Sequence, residues 1–265
     1  MARARRQPRL GRARLGREHD GLMMARRLVV AVDGPGSSGK STVGAMAAER
    51  LGFRFCDTGL FYRAAAWLAL HRRVSLDDGP ALAALVPLLR LESDGRGRYV
   101  RVRADGRDVT ALVHRPSIDR VVSEVSRQPE LRAALLSRQR VLAEDGSIVV
   151  AGRDIGTVVL PDADVKIYLD ASLAERARRR RLERGIADEE QDGAAARLIL
   201  EELGRRDAID SGRETAPLRI APDAVMICTD GFELSEAVDA VVRAVLERVA
   251  LLKRSREAEP ETGTP

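Results

Sequence analysis

The sequence predicts an α/β fold: a five-stranded parallel sheet sandwiched by helices, with a small antiparallel insertion and a helical lid. Three observations carry that prediction. Short apolar runs at 28–32, 53–56, 148–150, 165–169 and 225–228 are separated by stretches of helical spacing, the alternation that a parallel sheet with crossover helices requires. Residues 28–42 read LVVAVDGPGSSGKST, an apolar run, a glycine-rich turn and the start of a helix. The run 147–150 is almost continuously apolar, as a strand buried on both faces must be, and charged residues stand just beyond it.

Composition bounds the rest. The chain has 265 residues, 45% of them apolar, enough for a sizeable core. No apolar run approaches the roughly 20 residues needed to cross a bilayer, which excludes a membrane span. Cys56 and Cys228 are the only cysteines, too few for a disulfide framework, so a reducing cytoplasm is the natural setting. The net charge of +5 is uneven: residues 1–27 hold nine arginines against Glu18 and Asp20, a net of +7, leaving −2 for everything after. That first stretch has no apolar segment of a secretory signal, and its Arg, Pro and Gly content predicts disorder over 1–26. It reads either as a nucleic-acid-binding arm or as an upstream extension without function, since Met23 and Met24 lie directly before the first strand.

The turn after the first strand fits G-x-x-x-x-G-K-[ST], with Gly34, Gly39, Lys40 and Ser41 in the fixed places. In such a P-loop the small residues Gly34, Pro35, Gly36, Ser37, Ser38 and Gly39 let the backbone curl so that successive N–H groups point at phosphate oxygens, and the helix from Lys40 through Thr42 adds its positive end. Lys40 is placed to reach the β- and γ-phosphates of a nucleoside triphosphate, and the Ser41 hydroxyl to hold Mg²⁺. Val43, Met46, Ala47 and Leu51 continue at helical spacing to Gly52, a helix stop. Of 45 basic residues only Lys40, Lys166 and Lys253 are lysine. A chain that otherwise uses arginine has lysine where phosphate chemistry favours a compact charge.

In order, 53–57 is a short strand, and Asp57-Thr58-Gly59 opens a helix whose first turns carry Tyr62 and Arg63. Between 74 and 110 a short helix over 82–91 is expected, and then an antiparallel meander with turns at 94–97 and 105–106. A meander does not belong inside a parallel sheet, so it is expected to project from the main body. Residues 117–142 are helical, broken at Pro129. Beyond the strand at 147–150 come Arg153 and Asp154, where ligands of open α/β sheets bind. The strand 165–170 leads into Ser172-Leu173-Ala174-Glu175, a capping box. The helix that follows carries Arg176, Arg178, Arg179, Arg180, Arg181 and Arg184, and a second helix runs from 194 to about 206. Basic residues on two helices joined by a loop suit a mobile lid. The strand at 224–229 and an amphipathic helix over 234–253 close the fold, and the polar end over 255–265 is expected to be disordered. The organisation is therefore a core over 27–73 and 143–254, with a lid at about 176–205, and an inserted unit over 74–142.

A triphosphate site needs an acceptor. The three histidines, His19, His71 and His114, are scattered and no zinc spacing occurs. Arg63, Arg132, Arg153, Arg206 and Arg213 come from separated segments. Such a cluster is what a second bound anion requires, to offset charge repulsion and align the reacting groups. Phosphoryl transfer to a phosphate-bearing acceptor follows.

The blocks GPGSSGKST, DTGLFYRAAA, AGRDIGTVVLPDADVKIYLDAS and RRDAIDSGRETAPL, in this order over roughly residues 28–250, closely resemble the bacterial cytidylate kinase family. The resemblance implies the P-loop nucleoside monophosphate kinase fold, with the unit over 74–142 binding CMP, and the reaction of MgATP with CMP or dCMP. By the same resemblance Ser123, Arg132 and Asp154 read cytosine. Arg63, Arg153 and Arg206 meet the acceptor phosphate, and Tyr62, Asp210 and Arg213 lie near the sugar. Thr58 stands where the family has Ser and keeps the hydroxyl. Of the lid arginines, Arg176 and Arg180 are expected at the ATP phosphates. The family also implies a monomer whose core binds no nucleic acid. A P-loop kinase for another nucleoside monophosphate or a small metabolite is the alternative.

Overall fold

The computed structural model describes residues 27–186 and 193–257. The basic extension over 1–26, loop residues 187–192 and the tail over 258–265 lie outside the described residues. Strand β1 (Val29–Asp33) is central, because its residues are apolar enough to be covered on both faces. It pairs in parallel with β6 (Ile148–Ala151), through Val30 opposite Val149, and with β7 (Val165–Asp170), through Val30 opposite Val165. Beyond β6 lies β2 (Arg54–Asp57), and beyond β7 lies β8 (Val225–Cys228), both parallel. These are the five expected strands in the order β2-β6-β1-β7-β8. All five carboxyl ends lie on one side, and the chain order reverses at β1, the place where open sheets bind ligands.

The meander departs from expectation. Strands β3 (Leu89–Ser93), β4 (Arg98–Ala104) and β5 (Arg107–Asp108) are antiparallel to one another as anticipated. The unit does not stand clear of the sheet, however. β4 pairs in parallel with β2, Phe55 opposite Arg98 and Cys56 opposite Tyr99, giving one mixed eight-stranded sheet. The open edge of β2 leaves backbone groups that need partners, and β4 supplies them.

Helices follow their sequence signals with some shifts. α1 (Lys40–Leu51) begins after Gly39 and stops at Gly52 in the left-handed conformation. α2 (Gly59–Arg72) follows β2. The helix expected over 82–91 is instead α3 (Gly79–Ala84), capped by Asp78, and a 3₁₀ turn at Val86–Leu88. α4 (Pro116–Ser126) and α5 (Pro129–Val141) each start with proline in the first turn, where a missing N–H costs nothing. A π-turn at Ile155–Val159, which no sequence signal announced, follows β6. α6 (Leu173–Glu183) is capped by Ser172, which accepts from Glu175 N at 3.2 Å. The other half of the capping box is missing, since Glu175 pairs with Arg178 and Arg179 instead. α7 (Ala194–Gly212) runs six residues past the expected end, because the stretch from Asp207 to Ser211 holds neither proline nor glycine. α8 (Leu234–Glu257) closes the chain and extends into the expected tail.

The main core lies between the sheet and helices α1 and α8. Val30, Val32, Val149, Ile167 and Leu169 meet Val43, Ala47, Val238, Val241 and Val245 there. A second core surrounds α2, where Leu68, Leu82, Leu89, Leu131 and Leu135 join the helices of the inserted unit to the meander. The pair α6 and α7 has only a small centre of its own, Ala177, Ile199 and Leu203.

Candidate active site

A cleft of about 290 Å³ opens at the carboxyl ends of the strands. On one wall the P-loop leaves β1 through Gly34, whose φ of 151° suits glycine, and where a side chain would collide with the Leu169 carbonyl. Gly39, at φ 96°, turns the chain into α1 with no acidic residue in its first turn. The helix start thus presents free N–H groups and positive potential to the cleft. Lys40 is buried, and its Nζ donates to Pro35 O at 2.6 Å and Ser38 Oγ at 3.3 Å. Burial first, and then the charge of Arg153, push the lysine well below its ordinary pKa. A nearby anion would counter both effects. The Ser41 hydroxyl donates to the Asp57 carboxylate. Both are hard oxygen ligands on the cleft wall, a donor pair that fits a Mg²⁺ ion keeping most of its waters.

The facing wall is basic. Arg153, from the turn after β6, donates through Nε to Asp210 Oδ2 at 3.0 Å. Arg213, just beyond α7, lies 3.9 Å from Asp210 Oδ1 and donates to Ser126 Oγ at 3.4 Å. Burial would raise the pKa of Asp210, but Arg153, Arg213 and Arg206 outweigh it and hold the carboxyl below its usual value. Arg206 is pushed down to about 10, by burial and then by its neighbours Arg153 and Arg63. Burial and Arg132 likewise lower Arg213. Arg206 Nε, Arg213 Nε and Nη2, and Arg132 Nε are buried donors with no hydrogen-bond partner. Buried donors crowded by like charge are what an anionic ligand relieves.

Deeper in the cleft Arg132 and Asp154 form a buried ion pair. Arg132 also donates to Ser126 O at 3.1 Å, and its guanidinium lies 5.2 Å from the Tyr62 ring centroid, a cation–π contact. The Tyr62 hydroxyl accepts from Gln139 Nε2 at 3.4 Å. This pocket offers a carboxylate, a guanidinium and an aromatic face, a set suited to a flat polar ring. Its position depends on Asp33 at the end of β1. That buried carboxylate accepts from Ile155 N at 2.8 Å and Gly156 N at 2.7 Å, fastening the turn that carries Arg153 and Asp154.

Most residues singled out in the sequence meet here. Gly36, Ser37, Gly39, Lys40, Ser41 and Thr42 line the cleft, facing Thr58, Tyr62, Arg63, Ser123, Arg132, Arg153, Asp154, Arg180, Arg206, Asp210 and Arg213. Gly34, Pro35 and Ser38 shape the loop from behind. Arg176 is the clear departure. It lies behind the P-loop, donating to Gly36 O at 3.1 Å and Ala171 O at 2.9 Å and pairing with Asp207 at 2.7 Å. It braces the loop rather than facing the cleft, because the first turn of α6 runs beneath that loop. The Thr58 hydroxyl donates to Ala151 O at 3.0 Å, tying α2 to β6.

Several lining residues were not anticipated: Asp57, His114, Ser126 and Glu183. Asp119, behind them, was also missed. One signal was available, since Asp119, Ser123 and Ser126 stand at i, i+4 and i+7 and make a polar stripe on the buried face of α4.

A model of the family described as "Cytidylate kinase" matches residues 30–247. The cytidylate kinase of Geobacillus kaustophilus (strain HTA426) is 44% identical over 231 residues, covering 85% of this chain and all of the relative. That of Geobacillus sp. (strain WCH70) is 42% identical over the same coverage. A bifunctional pantoate ligase/cytidylate kinase of Synechococcus sp. (strain CC9902) is 42% identical over 233 residues, 86% of this chain but 47% of that longer protein. The two-walled cleft and these likenesses point the same way, and the chain belongs to the cytidylate kinase family.

Proposed function

We propose that the chain transfers the γ-phosphoryl group of ATP to CMP and dCMP, giving ADP with CDP or dCDP. The observation that carries this reading is the pairing of a P-loop wall, with Lys40 and Ser41, and a facing wall of Arg63, Arg153 and Arg206. A cleft basic on both sides suits two phosphate groups brought together against their mutual repulsion. In this reading the P-loop backbone, Lys40 and Arg180 hold the ATP phosphates, and Arg63, Arg153 and Arg206 hold the acceptor phosphate. Ser123, Arg132 and Asp154 recognise the base, and Tyr62, Asp210 and Arg213 border the sugar. Thr58 sets the start of α2 beside them.

An acceptor phosphate oxygen attacks the γ-phosphorus in line while the bond to the β–γ bridging oxygen breaks. The acceptor is already anionic, so no protein base has to remove a proton. Ser41 and Asp57 would hold a Mg²⁺ ion, which would supply charge neutralisation on the transferring phosphates. The protein's own contribution is position and charge, with Lys40 on the donor and the arginines on the acceptor.

The chain works, on this reading, as a cytoplasmic monomer, and deleting residues 1–22 leaves turnover unchanged. No helix among the described residues is long and apolar enough to cross a membrane. The test is an acceptor screen with MgATP and CMP, dCMP, UMP or AMP, following ADP release. Highest kcat/KM with CMP and dCMP is expected, and a preference for AMP would overturn the assignment. Asp154→Ala sharpens it, because the variant should weaken CMP far more than ATP. Equal weakening of both would remove Asp154 from base recognition.

A further inference from the structure

Behind the basic wall lies a carboxylate that the reaction as described does not use. Asp119, in the first turn of α4, is only 4% exposed. Its Oδ1 accepts from Arg63 Nη2 at 2.7 Å and lies 3.8 Å from Arg206 Nη1. Its Oδ2 accepts from Arg180 Nη2 and lies 3.9 Å from Arg184 Nη2. One carboxylate thus gathers guanidinium groups from α2, α6 and α7. By comparison Asp210, the other buried carboxylate of this wall, pairs with Arg153 and Arg213.

The side from which Asp119 approaches matters. Arg63, Arg180 and Arg206 line the cleft and Asp119 does not; it lines a small adjoining crevice, which Arg180 and Arg206 reach as well, so those two arginines stand between the carboxylate and the cleft. It therefore touches the arginines from the rear. Like charges this close repel, and each long side chain has many rotamers of which few face the cleft. A rear carboxylate offsets the repulsion and selects those rotamers, leaving the other guanidinium nitrogens for a ligand. Burial by itself would raise the pKa of Asp119, but Arg63 and Arg180 hold it below the ordinary carboxylate value, so it is charged near neutral pH.

The position on α4 adds a second consequence. Ser123 stands one helical turn beyond Asp119 and lines the cleft. The helix that presents Ser123 to the acceptor is the one that anchors Arg180 and Arg184 of α6 and Arg206 of α7.

We propose that Asp119 is a positioning residue that sets Arg63, Arg206 and Arg180 around the transferred phosphoryl group and couples closure of the α6–α7 pair to the acceptor side of the cleft. The inference rests on the phosphoryl-transfer reading above, and it assigns Asp119 no contact with either nucleotide.

Asp119→Asn removes the charge and keeps the shape. The expected result is a kcat lower by about tenfold or more and a KM for CMP raised severalfold, with a smaller rise in the Kd for ATP measured without CMP, since of the ATP contacts only Arg180 leans on Asp119. Asp119→Glu keeps the charge on a stem one methylene longer and should fall between wild type and Asn. A double-mutant cycle with Arg180→Gln should be strongly non-additive, because the aspartate acts through that arginine. Wild-type kcat and KM in folded Asp119→Asn would overturn the proposal, and so would equal losses of CMP and ATP affinity or an additive cycle. If circular dichroism shows that Asp119→Asn does not fold, Asp119→Glu carries the test. A KM for CMP raised more than the Kd for ATP then supports the proposal, and a wild-type KM or an equal rise in both overturns it. Failure of the wild-type chain to phosphorylate CMP would instead sink the functional reading, and would be seen before any variant is compared.

Discussion

The floor of the cleft and the α6–α7 pair above it are built from different materials. The floor is a parallel sheet whose apolar residues pack with α1 and α8 into a cluster of twenty-one buried residues, while the pair has three of its own among the described residues. Charge does much of the work instead: Arg176 to Asp207 and Arg184 to Glu202 tie the two segments to each other, and Arg180, Arg184 and Arg206 tie them to Asp119 of α4. Close packing tolerates few alternative arrangements, so the floor keeps the P-loop and the turn after β6 in one geometry. Ion pairs can be exchanged for pairs with an incoming phosphate at little net cost, so the upper pair can move. A two-phosphate reaction needs both properties, a fixed donor seat and a cover that responds to the acceptor.

That contrast can be broken in stages. The largest effect is expected from Lys40→Ala, which on the proposed reading removes the floor's charge from the donor phosphates while sparing its packing. Its kcat should fall about 10³-fold, roughly 4 kcal/mol of lost transition-state stabilisation. Stability should hold or rise, because a buried charge is lost. Near-normal turnover in that variant would sink the P-loop assignment.

Next come matched truncations in the two regions. Ile167→Ala, in the sheet, should lower global stability by about 2–5 kcal/mol. Leu203→Ala, in the small centre of the α6–α7 pair, should speed hydrogen exchange in α6 and α7 while leaving the global unfolding midpoint almost unchanged. Equal losses of global stability would show that floor and cover unfold together and that the contrast is wrong.

A smaller effect comes from Asp33, a floor charge set by burial rather than by pairing. Burial raises its pKa to about 6, against the opposing N–H groups of Gly156 and Ile155. In the unfolded chain the same carboxyl titrates near 4. Between about pH 4 and 6 the unfolded state has therefore lost a proton that the folded state retains, so this group's contribution to stability falls as pH rises through that window. The whole shift amounts to about 3 kcal/mol. Asp33→Asn does not titrate, so the stability difference between wild type and variant should change by about that amount from pH 4 to pH 6.5. A flat difference would mean that the carboxyl is not buried as described.

Much of the floor was legible because its signals are local. The P-loop is contiguous, the strands are short apolar runs, and Gly52 marks the end of α1 through its own backbone constraint. The joining of the meander to β2 was not legible, since it brings Arg98 opposite Phe55 through a pairing that needs only backbone groups. The site divides the same way. Arg63, Arg153, Arg206 and Arg213 stood out as candidates because the recognisable blocks carry them, and the lid arginines because they crowd one helix. Sorting them required three dimensions: Arg176 and Arg180 are four residues apart on one helix, yet the first supports the P-loop and the second faces the cleft.

The parallel α/β architecture, the phosphate-binding turn and the stock of arginines follow from short stretches of chain, because strand burial, glycine dihedrals and helix caps are decided within a few residues. Which charges meet depends on the assembled fold. Asp119 looks like any acidic residue in a first helical turn until three other helices bring guanidinium groups to it. Coulombic pairing depends on distance in space and not along the chain, so its pattern emerges only once the apolar core has set where each helix lies.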